Sequence, residues 1–331
     1  MPKRTPATPQ RKLSTKHLVY LLLGGALLAV GFFHLAPAIL TGLVFYVFLD
    51  QVHRHLTKSM GRGIARYAAL AVFLVVLGLA GLVFVKFVKQ SLAAVPVILA
   101  KLIPTLNHLS DQFGFDIQFD TIEELQQAML SAFRQNLGVV KRYSLLLTKE
   151  VFTILLGGFA AVFYFLQGST AKRGSSLYAA VGVEMERQVQ GFLGSFGRVM
   201  GAQLLISAIN TALTAVFLTV LGMPYVIFLV LTTFLAGLLP IIGNLISNSV
   251  ILGTALTVSP EHALFALAYL VVIHKGEYFL NSKIVGSNVE MPMWKILLAI
   301  LIGETTLGLA GIPLAPAILH FIRREMQETK A

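Results

Sequence analysis

The chain has 331 residues, of which 56% are hydrophobic and only 12% charged, with a formal net charge of +11 and a mean hydropathy of +0.79. A globular domain carries about 25% charged residues, so this composition selects a helical multi-span membrane protein over a soluble enzyme. Continuous apolar runs argue against a transmembrane β-barrel, which needs short alternating segments. Zero cysteines exclude disulfides, zinc-thiolate sites and thiol nucleophiles.

Residues 1–17 hold five basic residues (Lys3, Arg4, Arg11, Lys12, Lys16), three prolines and no acid, and read as a disordered cytoplasmic tail. Apolar Leu18 to Phe33 imitates a secretory signal, but hydrophobicity resumes after Ala36-Pro37-Ala38 and runs to Leu49, which predicts a helical hairpin. The loop from Asp50 to Arg66 carries Arg54, Lys58, Arg62 and Arg66 against one acid, so both flanks of the hairpin read as cytoplasmic. Tyr67 to Val88 is a third span and closes a first membrane unit, 18–88.

Residues 89–149 form the one substantially polar block, its acids and bases nearly cancelling, as suits a translocated segment. Leu92, Val95, Leu99, Leu102, Ile103 and Leu106, and then Leu125, Met129, Ala132 and Phe133, recur near helical spacing. Two amphipathic helices separated by a turn at Asp111 to Asp116 make a small extracytoplasmic cap. Nothing in it resembles a nucleophile–base pair.

Glu150 to Leu166 is span four, and Gln167 to Arg198 is again basic, with Lys172, Arg173, Arg187 and Arg198 against Glu184 and Glu186. Val199 to Pro260 then runs for 62 residues without one Lys, Arg, Asp or Glu. It predicts a span to Leu221, a Gly222-Met-Pro224 turn, a span to Leu239, a break at Pro240 and Gly243, and a span to Val258. Ala263 to Ile273 is the eighth crossing. Trp294 to Ile322 as one helix would reach about 43 Å and would leave Arg323 and Arg324 outside. Gly308, Gly311, Pro313 and Pro316 predict a re-entrant hairpin instead. The fold expected is all-α and polytopic, with about eight transmembrane helices, the hairpin closing a membrane core over 150–322, and a cytoplasmic tail at 323–331.

Broken helices inside a membrane segment are the usual construction of transporter sites. Glu304 lies inside an apolar segment, where an ionisable group is by default a functional hypothesis; a buried glutamate that binds helices together is the plain structural counterpart. Lys275, Glu277, Asn281 and Lys283 form a second polar cluster, with Glu277 and Asn281 one turn apart, or an ordinary charged helix end. Asn244, Ser247, Asn248 and Thr254 after the break, with Gln203 and Asn210 on the preceding span, are candidate lining for a hydroxylated solute or hydrated ion. Buried Asn and Ser equally well bond neighbouring helices. No histidine pair has metal-ligand spacing with a supporting acid, and no G-x-x-x-x-G-K-[ST] sequence for phosphate binding occurs. Neither a metal nor a cofactor is therefore expected. The partners expected are the lipid bilayer and a small solute, proton or monovalent cation, with no nucleic acid. Small residues along the spans suit a homo-oligomer.

Leu239-Pro240-Ile-Ile-Gly243-Asn244 resembles the P-x-I-G element of the autoinducer-2 exporter family of bacterial membrane proteins. Asn281-Ser-Lys283-Ile-Val-Gly286, then Pro292, Gly303, Gly308, Gly311 and Pro316, are similar to that family's closing signature. The resemblance implies a cofactor-free secondary transporter of the bacterial inner membrane, not an enzyme, with both termini cytoplasmic. In such families it implies either export of a small signal molecule or sodium (lithium)/proton exchange. The acid-proline pair of the signature is Asn281-Ser282 here, which removes a charged ligand; Glu277, one turn earlier, is the available substitute. A scaffold or receptor working through the 89–149 segment is the reading from a different class.

Overall fold

The structure is a computed structural model and describes residues 15–113, 137–168, 176–239, 242–284 and 292–328. Every regular element among the described residues is helical: α1 Thr15–Phe32, α2 Ala36–Leu56, α3 Arg62–Phe113, α4 Leu137–Gln167, α5 Leu177–Val220, α6 Val226–Gly237, α7 Ile242–Leu256, α8 Pro260–Ile284 and α9 Met293–Leu307. A single 3-10 turn, Gly308–Ala310, then leads into α10, Gly311–Glu328. Among the described residues six helical stretches are long and apolar enough to cross a bilayer: Thr15–Phe32, Ala36–Leu56, Arg62–Val95, Lys149–Gln167, Leu177–Val220 and Trp294–Gln327. This is a multi-pass membrane protein. Side chains such as Leu28 and Phe32, 77% and 79% exposed, would be costly in water and are at home in acyl chains.

The early turn falls where Pro37 allows it. His34 takes φ 54°, and Ala36-Pro37 open α2, where a proline's missing N–H costs nothing. α3 runs unbroken for 52 residues, so Lys89 is not a helix boundary and the first amphipathic stretch continues the third span. Asp111 to Phe113, expected to open a turn, are instead the last helical residues of α3; the rest of the expected turn, and the second amphipathic stretch, lie outside the described residues. α4 starts at Leu137, ahead of the expected Glu150.

Lipid tails are as apolar as leucine, so helices here associate by close contact and interhelical hydrogen bonds rather than by escape from water. α2 and α4 meet through glycines. A Cβ on Gly157 would collide with the Ala38 carbonyl, and one on Gly42 would sit 3.2 Å from the Gly157 carbonyl. Around them Leu49, Ala69, Phe73 and Phe165 make one apolar cluster.

The 44-residue α5, about 66 Å long at 1.5 Å per residue, is the spine. Its first half packs on α1, α2 and α10, with Phe196 buried against Ala36, Ala310, Leu314 and Ala317. Its second half joins α6, α7, α8 and the far part of α3 in the largest cluster, which includes Ala94, Ile98, Leu218, Phe228, Leu229, Ile251 and Ala266.

The uncharged stretch is broken as expected, and the pieces are short. α6 has 12 residues and α7 has 15, about 18 and 22 Å against a hydrocarbon core of about 30 Å. They double back on each other. Phe228 and Leu229 at the start of α6 share a cluster with Ile251 and Ala255 at the end of α7. At the other end a Cβ on Gly243 would run into the Ala236 carbonyl. Pro240 lies outside the described residues, between the two helices. α9 and α10 make the same fold-back at Gly308, which takes φ 65°. Gly303 and Gly311 touch there, although eight residues of straight helix would separate them by about 12 Å. Pro313 lies in the first turn of α10 and Pro316 inside it.

Candidate functional site

A polar cavity opens where α5, α6, α7 and α8 converge at the turn between α6 and α7. Ser207, Asn210 and Thr214 come from α5, Thr233 and Gly237 from α6, Asn244, Ser247 and Asn248 from α7, and His274 and Glu277 from α8, with Ile206, Ile251, Leu270 and Ile273 between them. The space available to the centre of a water-sized sphere is about 20 Å³, enough for a water or two. Its walls carry one carboxylate and, among the described residues, no Lys or Arg.

The break makes the site possible. A helix end leaves its last carbonyls without intrahelical partners, and in lipid they must be satisfied by protein. α5 supplies the partners: Gln203 Nε2 donates to the Gly237 carbonyl at 2.6 Å and Ser207 Oγ to the Phe234 carbonyl at 2.9 Å. On the other wall Asn244 Nδ2 donates to both Glu277 oxygens, at 2.9 and 2.8 Å. The Glu277 side chain is only 14% exposed, and His274 Nδ1 lies 3.8 Å from its Oε2. A hydrogen bond to a charged acceptor is worth roughly 1.5–3 kcal/mol, so this contact ties α7 to α8. Asn210 lines the same space, and its Oδ1 is buried without a hydrogen-bond partner. Above, Thr214 bonds Tyr269 Oη at 3.0 Å, and Tyr269 stacks on Phe217 with ring centroids 4.0 Å apart. At the α7–α8 turn Ser259 Oγ accepts from the His262 amide at 3.2 Å. The Ser259 hydroxyl and Glu261's own amide hold the Glu261 carboxyl below its usual range.

The structure thus brings together Asn210, Asn244, Ser247, Asn248 and Glu277, drawn from three helices. Gln203 does not line the cavity and holds the α6 end instead. Asn281 and Lys283 follow Glu277 on the α8 backbone, and their side chains lie outside the described residues. Glu304 is elsewhere: it is exposed on α9, beside exposed Thr305 and Thr306. Ser207, Thr214, Thr233 and His274 are lining residues that sequence reasoning missed. The first two were within reach, because Gln203, Ser207, Asn210 and Thr214 follow one another at helical spacing on a single face of α5.

A second polar cluster joins α1, α5 and α10. Glu325 Oε1 accepts from Tyr20 Oη at 2.7 Å, Arg187 Nη2 at 2.8 Å and Gln188 Nε2 at 2.9 Å. Glu184 engages Arg187 and Gln188 as well. No local pattern announces it, since Tyr20 and Glu325 are 305 positions apart. Among the described residues no three His, Asp or Glu side chains are grouped to hold a metal ion.

The family model described as "AI-2E family transporter" matches residues 18–331. The chain belongs to the AI-2E transporter family. Two proteins of Bacillus subtilis (strain 168) that carry "transport protein" in their names are similar to this AI-2E member. YdbI is 29% identical over 135 residues, 40% of this chain and 38% of the relative. YrrI is 29% identical over 171 residues, 49% of this chain and 45% of the relative. The matched stretches span less than half the length of either relative.

Proposed function

We propose that this AI-2E family member is a secondary carrier of the bacterial inner membrane, moving a small neutral or cationic polar solute through the cavity at the α6–α7 turn. The observation that carries the reading is the chemistry of the walls. One carboxylate with His274 beside it, three asparagine amides and several hydroxyls, with no Lys or Arg among the described lining residues, suit a hydroxylated molecule or a hydrated monovalent cation better than an anion. The depth agrees with it. Asn210 lies 11 residues before Leu221 at the end of α5, about 16 Å along the helix, which is half of a 30 Å core.

Both fold-backs are read as re-entrant hairpins. Trp294 and Lys295, in cation–π contact at 5.5 Å, suit an interface anchor at the start of α9, and Arg323 and Arg324 return to the same side. Both termini are then cytoplasmic, with every basic loop. Glu277 takes the coupling role for a proton or cation. Glu304 lies outside the pathway, and because an exposed carboxylate in lipid is costly, its face of α9 suits a contact within a homo-oligomer. The test is purified protein in sealed vesicles under a pH gradient, screened with sodium, lithium and a furanone-type signal molecule. Wild type moves at least one probe, and Asn248→Trp, which fills the cavity, moves none. Equal flux from both proteins would remove the cavity from the pathway.

A further inference from the structure

α3 is anchored at both ends and bare between them. Ala69 and Phe73 near its start are buried with Leu49 of α2 and Phe165 of α4. Ala94 and Ile98 further along are buried in the cluster built with α5, α6, α7 and α8. Between these anchors every residue from 74 to 86 is exposed. At 3.6 residues per turn, the face opposite Phe73, Ala94 and Ile98 carries Ala71, Val75, Gly78, Leu82, Lys86 and Lys89, all exposed. A Cβ on Gly78 would meet nothing within 4 Å. α9 has a similar stripe. Ile300 and Gly303 are buried on its inner side, Gly303 against Gly311 of α10. On its flank Trp294, Leu297, Leu301 and Glu304 recur at helical spacing and are exposed. Among the described residues no cation of the chain pairs with Glu304.

The two stripes lie at one depth. Phe45 of α2 meets Phe73 of α3, ring centroids 4.9 Å apart. A Cβ on Gly31 of α1 would sit 3.3 Å from the Thr306 carbonyl, so α9 ends beside the α1–α2 turn. From Phe45 back to Pro37 at that turn the rise is about 12 Å, and the same rise along α3 from Phe73 reaches Gly81. Glu304 is therefore level with the stretch from Gly78 to Gly81. Lys86 follows about 10 Å further along α3, and its side chain leans back toward that level, because helical side chains tilt toward the N-terminus.

We infer that the bare face of α3 receives α9 from a second copy of this chain, with Gly78 allowing close approach and Lys86 neutralising the neighbour's Glu304. A lipid tail offers no cation to a carboxylate at that depth; another copy does. The contact is head-to-tail. Two-fold pairing through either stripe would set glutamate on glutamate or lysine on lysine. Within one chain α3 packs on α2, α6 and α7, whereas α9 packs on α10 and α1, so the two stripes belong to different sides of a protomer. A contact of that kind repeats around a closed ring. The inference rests on the reading of the Glu304 face given above and on no property of the cavity, so either can fail without the other.

The chain contains no cysteine, so thiols can be placed without background. At the depths worked out above, Val75 of one copy lies opposite Leu301 of the next. In native membranes Val75→Cys/Leu301→Cys, treated with a short bifunctional methanethiosulfonate reagent, should give covalent multimers, and each single variant should give none. Dimers from either single variant would mean two-fold pairing and overturn the head-to-tail contact; no multimer from the double variant would overturn the contact itself. Native mass spectrometry in detergent reads the charge pair without any transport assay. Glu304→Lys and Lys86→Glu should each weaken the assembly at least tenfold, and Glu304→Lys/Lys86→Glu together should restore it. A monomeric wild type, with lipid alone on both faces, or single exchanges that leave the assembly unchanged, would overturn the proposal.

Discussion

Replacing Glu325 by Ala should unlatch α10 from the rest of the molecule. The carboxylate is 11% exposed and collects donors from two other helices: Tyr20 on α1, and Arg187 and Gln188 on α5. A bond to a charged group is worth roughly 1.5–3 kcal/mol, so three taken separately would suggest about 4.5–9 kcal/mol. The structure argues for less. Arg187 is 42% exposed and keeps Glu184 at 2.8 Å, and Gln188 keeps the same Glu184 oxygen at 3.0 Å. Only the Tyr20 bond is lost outright, and coupled contacts do not add. The expected cost is about 2–4 kcal/mol, near the lower end of what removing one partner of a buried pair does. In a chain of this size that lowers Tm by about 3–6 °C. Thermal unfolding in detergent micelles measures it, with Glu325→Gln, which keeps an acceptor, and Tyr20→Phe, which loses a single bond, each expected nearer about 1 kcal/mol. If Glu325→Ala unfolds within 1 °C of wild type, the cluster does not hold the C-terminal helix and the reasoning fails.

Gly157→Ala should destabilise by roughly 2 kcal/mol or more, because its Cβ would enter the Ala38 carbonyl and force α2 from α4; Gly182→Ala, with open space around it, should be neutral or gain up to about 1 kcal/mol. The same thermal assay reads both, and equal effects would contradict the packing account. Tyr269→Phe should cost about 1 kcal/mol through the lost Thr214 bond, whereas Tyr269→Ala also loses the stack on Phe217 and should cost roughly 3–5 kcal/mol. Arg66→Ala should loosen the end of α4, whose Leu166 carbonyl accepts Arg66 Nη1 at 2.9 Å. Faster amide exchange at 164–168 would show it, and unchanged protection would refute it.

Much of this arrangement was written in the pattern of apolar runs. The early hairpin, the third and fourth spans and the two interruptions all follow from charge-free lengths and from Pro and Gly. The lengths of α6 and α7 did not follow, because Val226 to Gly237 looks the same to hydropathy whether it crosses the core or turns back within it. The contact of Gly243 with Ala236 decides that the chain folds back on itself, and such a contact is tertiary. Asn210, Asn244, Ser247 and Asn248 were legible as a set because polar residues in an uncharged stretch stand out; Glu277 lies beyond that stretch, and only the fold brings it to them. Gln203, expected in the lining, donates to the Gly237 carbonyl at the end of α6, since one chain position says nothing of which carbonyl it faces. Glu304 stood out equally, and its exposure on α9 shows why depth in sequence is not burial in the fold.

The central claim is that solute and coupling ion meet at Glu277 in the cavity between α5 and α8. Paired flux measurements on Glu277→Gln and Glu304→Gln in sealed vesicles under a pH gradient test it most directly. The account predicts that Glu277→Gln, which keeps the size and loses the charge, moves none of the transported probe while Glu304→Gln moves it at close to the wild-type rate. Full activity in Glu277→Gln with loss in Glu304→Gln would contradict it and put the pathway along α9.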